Sequence, residues 1–215
     1  LARVLGCEVP LTTTATAPSA GRAALVLGTN DWTQAAGLST DGFARDEFMI
    51  RADEAANRVY AFGIDDPKAD AKTQNVYLLG MSERATSFAV YDLLEREAGV
   101  RFYFPGEIGT IVPQRACVAV AGERRVKPVF SFRSPYIGGD GEWPKKSDMA
   151  DAWRRLRLGT LRVPFCHGQN EFYLMERFGA AHPEYSQMMK DGRRNAQVSH
   201  AAEWMRNQIC QSSGV

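Results

Sequence analysis

The residues of this chain best suited to chemistry lie in its second half. His167 stands in Pro164-Phe165-Cys166-His167-Gly168-Gln169-Asn170-Glu171. The amide and carboxylate groups of Gln169, Asn170 and Glu171 suit hydrogen bonding to the hydroxyls of a sugar. The alternative is a loop histidine bonded to backbone. His182 opens a second polar stretch, His182-Pro183-Glu184-Tyr185, followed by the turn Asp191-Gly192-Arg193-Arg194. Arg133, in Phe132-Arg133-Ser134, brings a planar fork of donors that can hold paired oxygens, or can close a salt bridge instead. Trp32 and Trp143 offer rings for stacking, although burial is the commoner use of such a ring.

Other chemistries find little support. Gly28-Thr29-Asn30 follows an apolar run, but no G-x-G-x-x-G or G-K-[ST] accompanies it. No G-x-S-x-G occurs, and no cysteine has a recognisable catalytic partner. Cys7, Cys117, Cys166 and Cys210 show no C-x-x-C spacing, so no metal site and no cofactor are expected. The thiols are expected to be buried and free, with a single disulfide as the alternative.

Positioning these residues requires a scaffold, and the first half reads as one. Leu11–Arg22 is small, polar and Thr/Ala-rich, so residues 1–22 form a lead-in. Ala23–Gly28, Glu47–Arg51, Asn57–Ile64 and Val76–Gly80 read as strands, with turns at Thr29–Trp32 and Asp41–Phe43 and a polar loop over Asp65–Asn75. From Ser82 the pattern becomes helical. Ser82 suits the N-cap and Glu83 the positive end of the dipole. Ala85, Phe88, Ala89, Leu93 and Leu94 make an apolar stripe, with Asp92, Glu95 and Arg96 expected in water. Gly99 fits a left-handed cap, Val100–Phe104 alternates as a strand, and Pro105-Gly106 turns the chain. Residues 23–122 therefore form a small α/β domain, and the charged run 123–129 reads as a linker.

From residue 130 the pattern is strand (Phe130–Ile137), Gly-rich loop, helix (Ser147–Leu158, with Met149, Trp153 and Leu156 on one face), strand (Leu161–Phe165), loop and helix (Glu171–Phe178). Ser199–Cys210 can also be helical. A (β/α)8 barrel starts this way, and such barrels need about 250 residues. The fold class expected is α/β: an N-terminal domain with a sheet and packed helix, then the start of a barrel over 130–215, incomplete within this chain. Half a barrel exposes apolar edges, so aggregation or dependence on a partner is expected of the isolated chain.

The run Ala89–Pro113 (AVYDLLEREAGVRFYFPGEIGTIVP), with HPEY at 182–185 and DGRR at 191–194, resembles bacterial glycoside hydrolases that place a small domain before a catalytic barrel. Family 20 hexosaminidases and family 67 α-glucuronidases carry such a domain, and the wording is most similar to family 163, the endo-β-N-acetylglucosaminidase-like proteins. Ser186 departs from the aromatic residue expected there, and residues 195–207 fit poorly. The resemblance implies hydrolysis of glycosidic bonds, with N-acetylglucosamine-containing glycans as substrate and uronic-acid-bearing polysaccharide as the alternative. It also implies an exported protein, secreted or periplasmic. Arg133, His167, Asn170, Glu171 and His182 would then contact the glycan. Such hydrolysis needs two carboxylates, or one acid aided by the substrate's acetamido group. No Asp or Glu stands in a recognisably catalytic pattern, and the resemblance puts the acid on later barrel strands. The remaining partner expected is the rest of that barrel. A non-catalytic module that binds carbohydrate or braces a domain is the alternative from a different class.

Composition agrees with an ordinary globular chain. The net charge of +1 over 215 residues gives no argument for nucleic acid or an acidic membrane surface. No apolar run of about 18 residues occurs. Leu1–Pro10 lacks the basic start and long apolar core of a signal peptide.

Overall fold

The computed structural model describes residues 1–13, 22–70, 72, 82–133, 146–159, 177–178, 180–185, 188 and 190–193. The chain divides into two compact units, Leu1–Arg162 and Val163–Val215. The first is a mixed α+β unit. In chain order it contains α1 (Ala2–Leu5), β1 (Ala24–Leu27), α2 (Asp31–Ala35), β2 (Phe48–Asp53), β3 (Arg58–Gly63), α3 (Ala85–Arg96), β4 (Arg101–Phe102), β5 (Thr110–Ile111), β6 (Glu123–Val126) and α4 (Lys146–Arg155). The described part of the second unit carries one 3-10 turn, Pro183–Tyr185. Among the described residues no barrel is closed, and the strands expected at Val76–Gly80 and Leu161–Phe165 lie outside them; of the strand expected at Phe130–Ile137, residues 130–133 are described and form no strand, Arg133 making an isolated bridge to Gly159, and the rest lies outside.

The main sheet runs β1-β3-β2-β6. β1 lies parallel to β3, while β2 is antiparallel to both β3 and β6. The β2–β3 hairpin turns where Asp53 accepts the Ala56 amide at 2.9 Å and Asn57 takes a positive φ of 53°. Asn tolerates that conformation better than most residues.

Strand alternation then sorts the side chains. Phe48, Ile50 and Ala61 face α3 and pack on Ala85, Phe88, Ala89 and Leu93. Val26, Tyr60 and Phe62 form the opposite cluster with Leu38, and with Trp32, Phe43 and Met49 at its margin. The helix approaches so closely that a Cβ on Gly63 would lie 2.4 Å from that of Ala85. A third cluster, Val4, Ala98 and Val100, joins α1 to the end of α3. There Gly99 takes the left-handed φ of 76° that its place after the helix predicts.

Four readings are corrected here. First, Asp92 is buried. It accepts Arg124 Nε at 2.9 Å and Arg96 Nε at 3.0 Å, while Arg124 Nη1 reaches Glu97 at 2.6 Å. Second, the supposed linker is partly strand: Glu123–Val126 is the edge strand β6. Its charges conceal it, because Arg124 turns in to Asp92 and Arg125 is held by Glu47 at 2.6 Å. Third, α3 begins at Ala85, and Ser82 does not cap it. Asp65 does that work across the loop, accepting the Thr86 amide at 3.0 Å, and Ala85 donates to the Ile64 carbonyl at 3.1 Å. Fourth, the strand after Gly99 covers only Arg101–Phe102, paired with Thr110–Ile111. Tyr103 and Phe104 are exposed, whereas Phe102 meets Tyr91 edge-on at 5.7 Å.

The thiols also differ from expectation. Cys7 and Cys117 are free, as expected, but exposed rather than buried. Cys166 and Cys210 lie outside the described residues.

α4 spans Lys146–Arg155, with Met149, Ala150 and Trp153 buried. Leu156 is exposed and Leu158 takes its place in the cluster. The helix ends in paired reversed bonds, Leu158 N–H to Trp153 O at 3.0 Å and Arg157 N–H to Arg154 O at 3.1 Å. This is the Schellman arrangement, here with Arg157 rather than glycine in the left-handed position at φ 56°.

The charged bridge between α3 and β6 yields a prediction. Asp92→Ala leaves Arg124 short of a partner in a mostly buried place and should cost about 2–3 kcal/mol in urea denaturation. Arg96→Ala removes only the exposed arm and should cost at most about 0.5 kcal/mol. Equal losses would contradict the geometry.

Candidate functional site

Arg133 lies at the centre of the best-formed polar cluster. Its backbone N–H donates to Gly159 O at 3.0 Å, an isolated bridge rather than a strand. Its side chain, 17% exposed, donates from Nη2 to Asp46 Oδ2 at 2.6 Å, from Nε to Arg157 O at 3.1 Å and from Nη1 to Phe130 O at 2.8 Å. A guanidinium has five N–H donors, so at most two remain for a ligand. The salt-bridge reading of Arg133 is therefore satisfied, and any ligand role has to be shared with it.

The residues around Arg133 were not legible as a site. Asp46 is buried and holds a φ of 60°. Arg157 pairs through Nη1 with Glu95 Oε2 on α3, and its carbonyl caps Arg133. A Cβ at Gly159 would lie 2.8 Å from Arg133 Nη2 and 2.9 Å from Asp46 Oδ2, so a side chain there would have to displace the ends of both. The only available signal was the tolerance of Asp for left-handed backbone, which is too weak to single out one residue.

Two glutamates beside this cluster titrate in opposite directions. The Arg125 guanidinium, hydrogen-bonded to Glu47, holds that carboxyl below its ordinary range despite its burial. Burial raises Glu83, helped by the nearby carboxylates of Asp46, Asp65 and Asp66 and opposed by Arg45. Arg84, which precedes α3, buries Nε and Nη2 with no hydrogen-bond partner. Its burial, with Arg154 next in effect, lowers its proton affinity.

The second unit is described by itself. His182 Nδ1 lies 2.9 Å from Glu184 Oε1, and its ring stacks on Tyr185 at 4.6 Å with planes 10° apart. The carboxylate assigns the proton to Nδ1 in the neutral ring, which leaves Nε2 as the accepting nitrogen. The His182 amide donates to Phe178 O at 2.8 Å. Nearby, Asp191 accepts Arg193 Nη2 at 2.5 Å, Arg193 Nε at 2.8 Å and the Arg193 amide at 3.0 Å, which closes the expected turn at Gly192. The Arg193 contact lowers the Asp191 carboxyl.

His167, Asn170 and Glu171 lie outside the described residues, as do Gln169 and Trp143. Trp32 is described: the Arg58 guanidinium lies 4.0 Å from its ring centroid, and the ring borders the Val26–Tyr60–Phe62 cluster. That face is taken. Among the described residues no group of three His, Cys, Asp or Glu side chains could hold a metal ion. No helix among them is long and apolar enough to cross a membrane.

Compared with known proteins, the chain matches no protein-family model, no curated protein and no solved structure.

The opposed titrations predict opposed substitutions. Glu47 is lowered, so its ionised form stabilises the fold at neutral pH and that contribution fades as pH falls through the carboxylate range. Glu47→Gln should lower the melting temperature at neutral pH. Glu83 is raised, so its ionised form is the unfavourable one. Glu83→Gln should raise the melting temperature at neutral pH. Both differences should shrink below about pH 4, near the ordinary glutamate value. Melts of the two variants across pH check the signs, and a loss for Glu83→Gln at neutral pH would contradict the assignment.

Proposed function

We propose that this chain is the front part of a glycoside hydrolase acting on N-acetylglucosamine-containing glycans, exported to the periplasm or cell exterior. The reading rests on the resemblance of residues 89–113, together with HPEY and DGRR, to hydrolases that place a small domain before a catalytic barrel. One observation supports it most: those residues follow helix α3, the left-handed Gly99, the short strand β4 and a turn, in that order. His182, with Glu184 fixing its tautomer, and Tyr185 beside it offer an accepting nitrogen and an aromatic face, a pairing suited to a sugar ring. His167, Asn170 and Glu171, and separately Arg133 in the first unit, are the other contacts proposed from the resemblance. The catalytic acid belongs to the remainder of the barrel, the partner proposed for this chain.

Charge favours a neutral glycan over a uronate. Arg133 is neutralised by Asp46, Arg157 by Glu95 and Arg125 by Glu47, so these cations are already compensated. A carboxylate-bearing sugar would compete with protein acids at each of them.

A specific observation favours a second reading, that of a bracing module. Tyr103, Ile108, Val129 and Phe130 are more than three-fifths exposed. Large apolar side chains left in water suit a surface that docks on another domain.

Titration calorimetry of the chain against an N-acetylglucosamine oligomer and a glucuronate oligomer separates these readings. The hydrolase reading expects binding of the first only, weakened about tenfold or more by His182→Ala, the loss of one good hydrogen bond. An unchanged melting temperature in that variant is part of the expectation. Binding of the glucuronate oligomer alone would reverse the choice of substrate. Binding of neither would leave the bracing reading.

A further inference from the structure

We propose that Glu184 sets the ligand choice of the His182 turn. By keeping His182 Nε2 an acceptor, it selects a sugar that donates a hydrogen bond there, through the acetamido N–H of an N-acetylhexosamine, over one that presents a carboxylate. This assignment rests on the glycan reading above and adds to it the residue that discriminates.

The local sequence builds the arrangement. Pro183 fixes its own φ and biases His182 toward extended backbone. The 3-10 turn Pro183–Tyr185 then brings two side chains back to the imidazole. Glu184 Oε1 lies 2.9 Å from Nδ1, and the Tyr185 ring covers one face at 4.6 Å. Backbone bonds tie the turn at both ends, from the His182 amide to Phe178 O at 2.8 Å and from the Tyr185 amide to His182 O at 3.0 Å. The ring is therefore held along one edge and one face. Its other edge is open: the side chain is 44% exposed, and among the described residues nothing bonds Nε2.

Proton placement follows from the partner. An ionised carboxylate only accepts, so Nδ1 carries the proton of the neutral ring and Nε2 keeps a bare lone pair. A histidine ring left to itself prefers the proton on Nε2, so Glu184 reverses the intrinsic choice. Hydroxyls donate or accept and fit either tautomer. The groups that distinguish the two sugars do not. The acetamido group can turn its N–H to a bare nitrogen, whereas an ionised carboxylate has no donor and meets it lone pair to lone pair. Glu184 is thus a positioning residue that acts through His182.

NMR of the ring nitrogens in the 215-residue chain reads the tautomer directly, with the His182 signals identified by their loss in His182→Gln. With the ring neutral, as its own shifts report, Nδ1 should be protonated and Nε2 bare. Glu184→Gln keeps an accepting oxygen and should keep that pattern. Glu184→Ala should move the proton to Nε2. Calorimetry of the same chains should show Glu184→Ala binding an N-acetylglucosamine oligomer about tenfold more weakly, as loss of one hydrogen bond implies, with no such loss for a glucuronate oligomer. Glu184→Gln should restore the first affinity. A proton on Nε2 in the unaltered chain would overturn the proposal. So would a binding loss in Glu184→Ala with no change of tautomer, which marks a merely structural role. The predicted tautomers with an unchanged choice of oligomer would sink the selectivity alone. Binding of neither oligomer by the unaltered chain would remove the glycan reading and this ligand assignment together.

Discussion

Buried acid sets the terms of this fold. Among the described residues Asp46, Glu47 and Asp92 are the buried carboxylates, and each is paired with an arginine far along the chain. Arg133 pairs with Asp46 at a separation of 87 residues, Arg125 with Glu47 at 78 and Arg124 with Asp92 at 32. An unpaired charge in those places would be severely unfavourable, so each acid requires its arginine. All three arginines lie within residues 124–133. That single stretch is therefore fastened to the first half of the unit by charge, and β6 takes its place at the sheet edge as a result. The position of Arg133 follows from the same constraint, since Arg125 and Arg133 hold neighbouring acids, Glu47 and Asp46.

This constraint also explains what could and could not be read from the sequence. Apolar periodicity is local, and the elements that depend on it were legible. The Ala85-Phe88-Ala89-Leu93 stripe faces the sheet as its spacing requires, β1 and β3 fall within the expected runs, and β2 overlaps its run but continues past Arg51 to Asp53. Ion pairing is not local. Nothing in Glu123-Arg124-Arg125-Val126 indicates that a carboxylate 32 residues earlier awaits one arginine, so a strand looked like a charged linker. Asp92 failed for the same reason from the other side: an acid on the edge of an apolar stripe belongs in water unless a cation from elsewhere reaches it. The start of α3 followed a different competing interaction, because Asp65, outside the helix sequence, took the amide that Ser82 was expected to hold.

The candidate site was legible in types and not in geometry. Arg133 stood out for its donors, and the structure shows how most of them are spent. His182 stood out for its surroundings, and Glu184 and Tyr185 engage its ring as neighbours in a tight turn can. Asp46, Arg157 and Gly159 gave no usable signal: Arg157 takes its left-handed place as the residue that ends α4, where glycine is the usual marker, and the tolerance of Asp for that conformation is too weak to single out Asp46. The corrected environments bear on function as well. Arg125, Arg133 and Arg157 are compensated by protein acids, which supports the neutral glycan proposed first over the uronate.

The central claim is hydrolysis of an N-acetylglucosamine-containing glycan by the protein to which this chain contributes its front. Its most direct test is product analysis after incubating the protein from the complete reading frame with such a glycan and, separately, with a glucuronate polymer. The account predicts new reducing ends from the first and none from the second. New ends only from the glucuronate polymer, or none from either substrate, would contradict it.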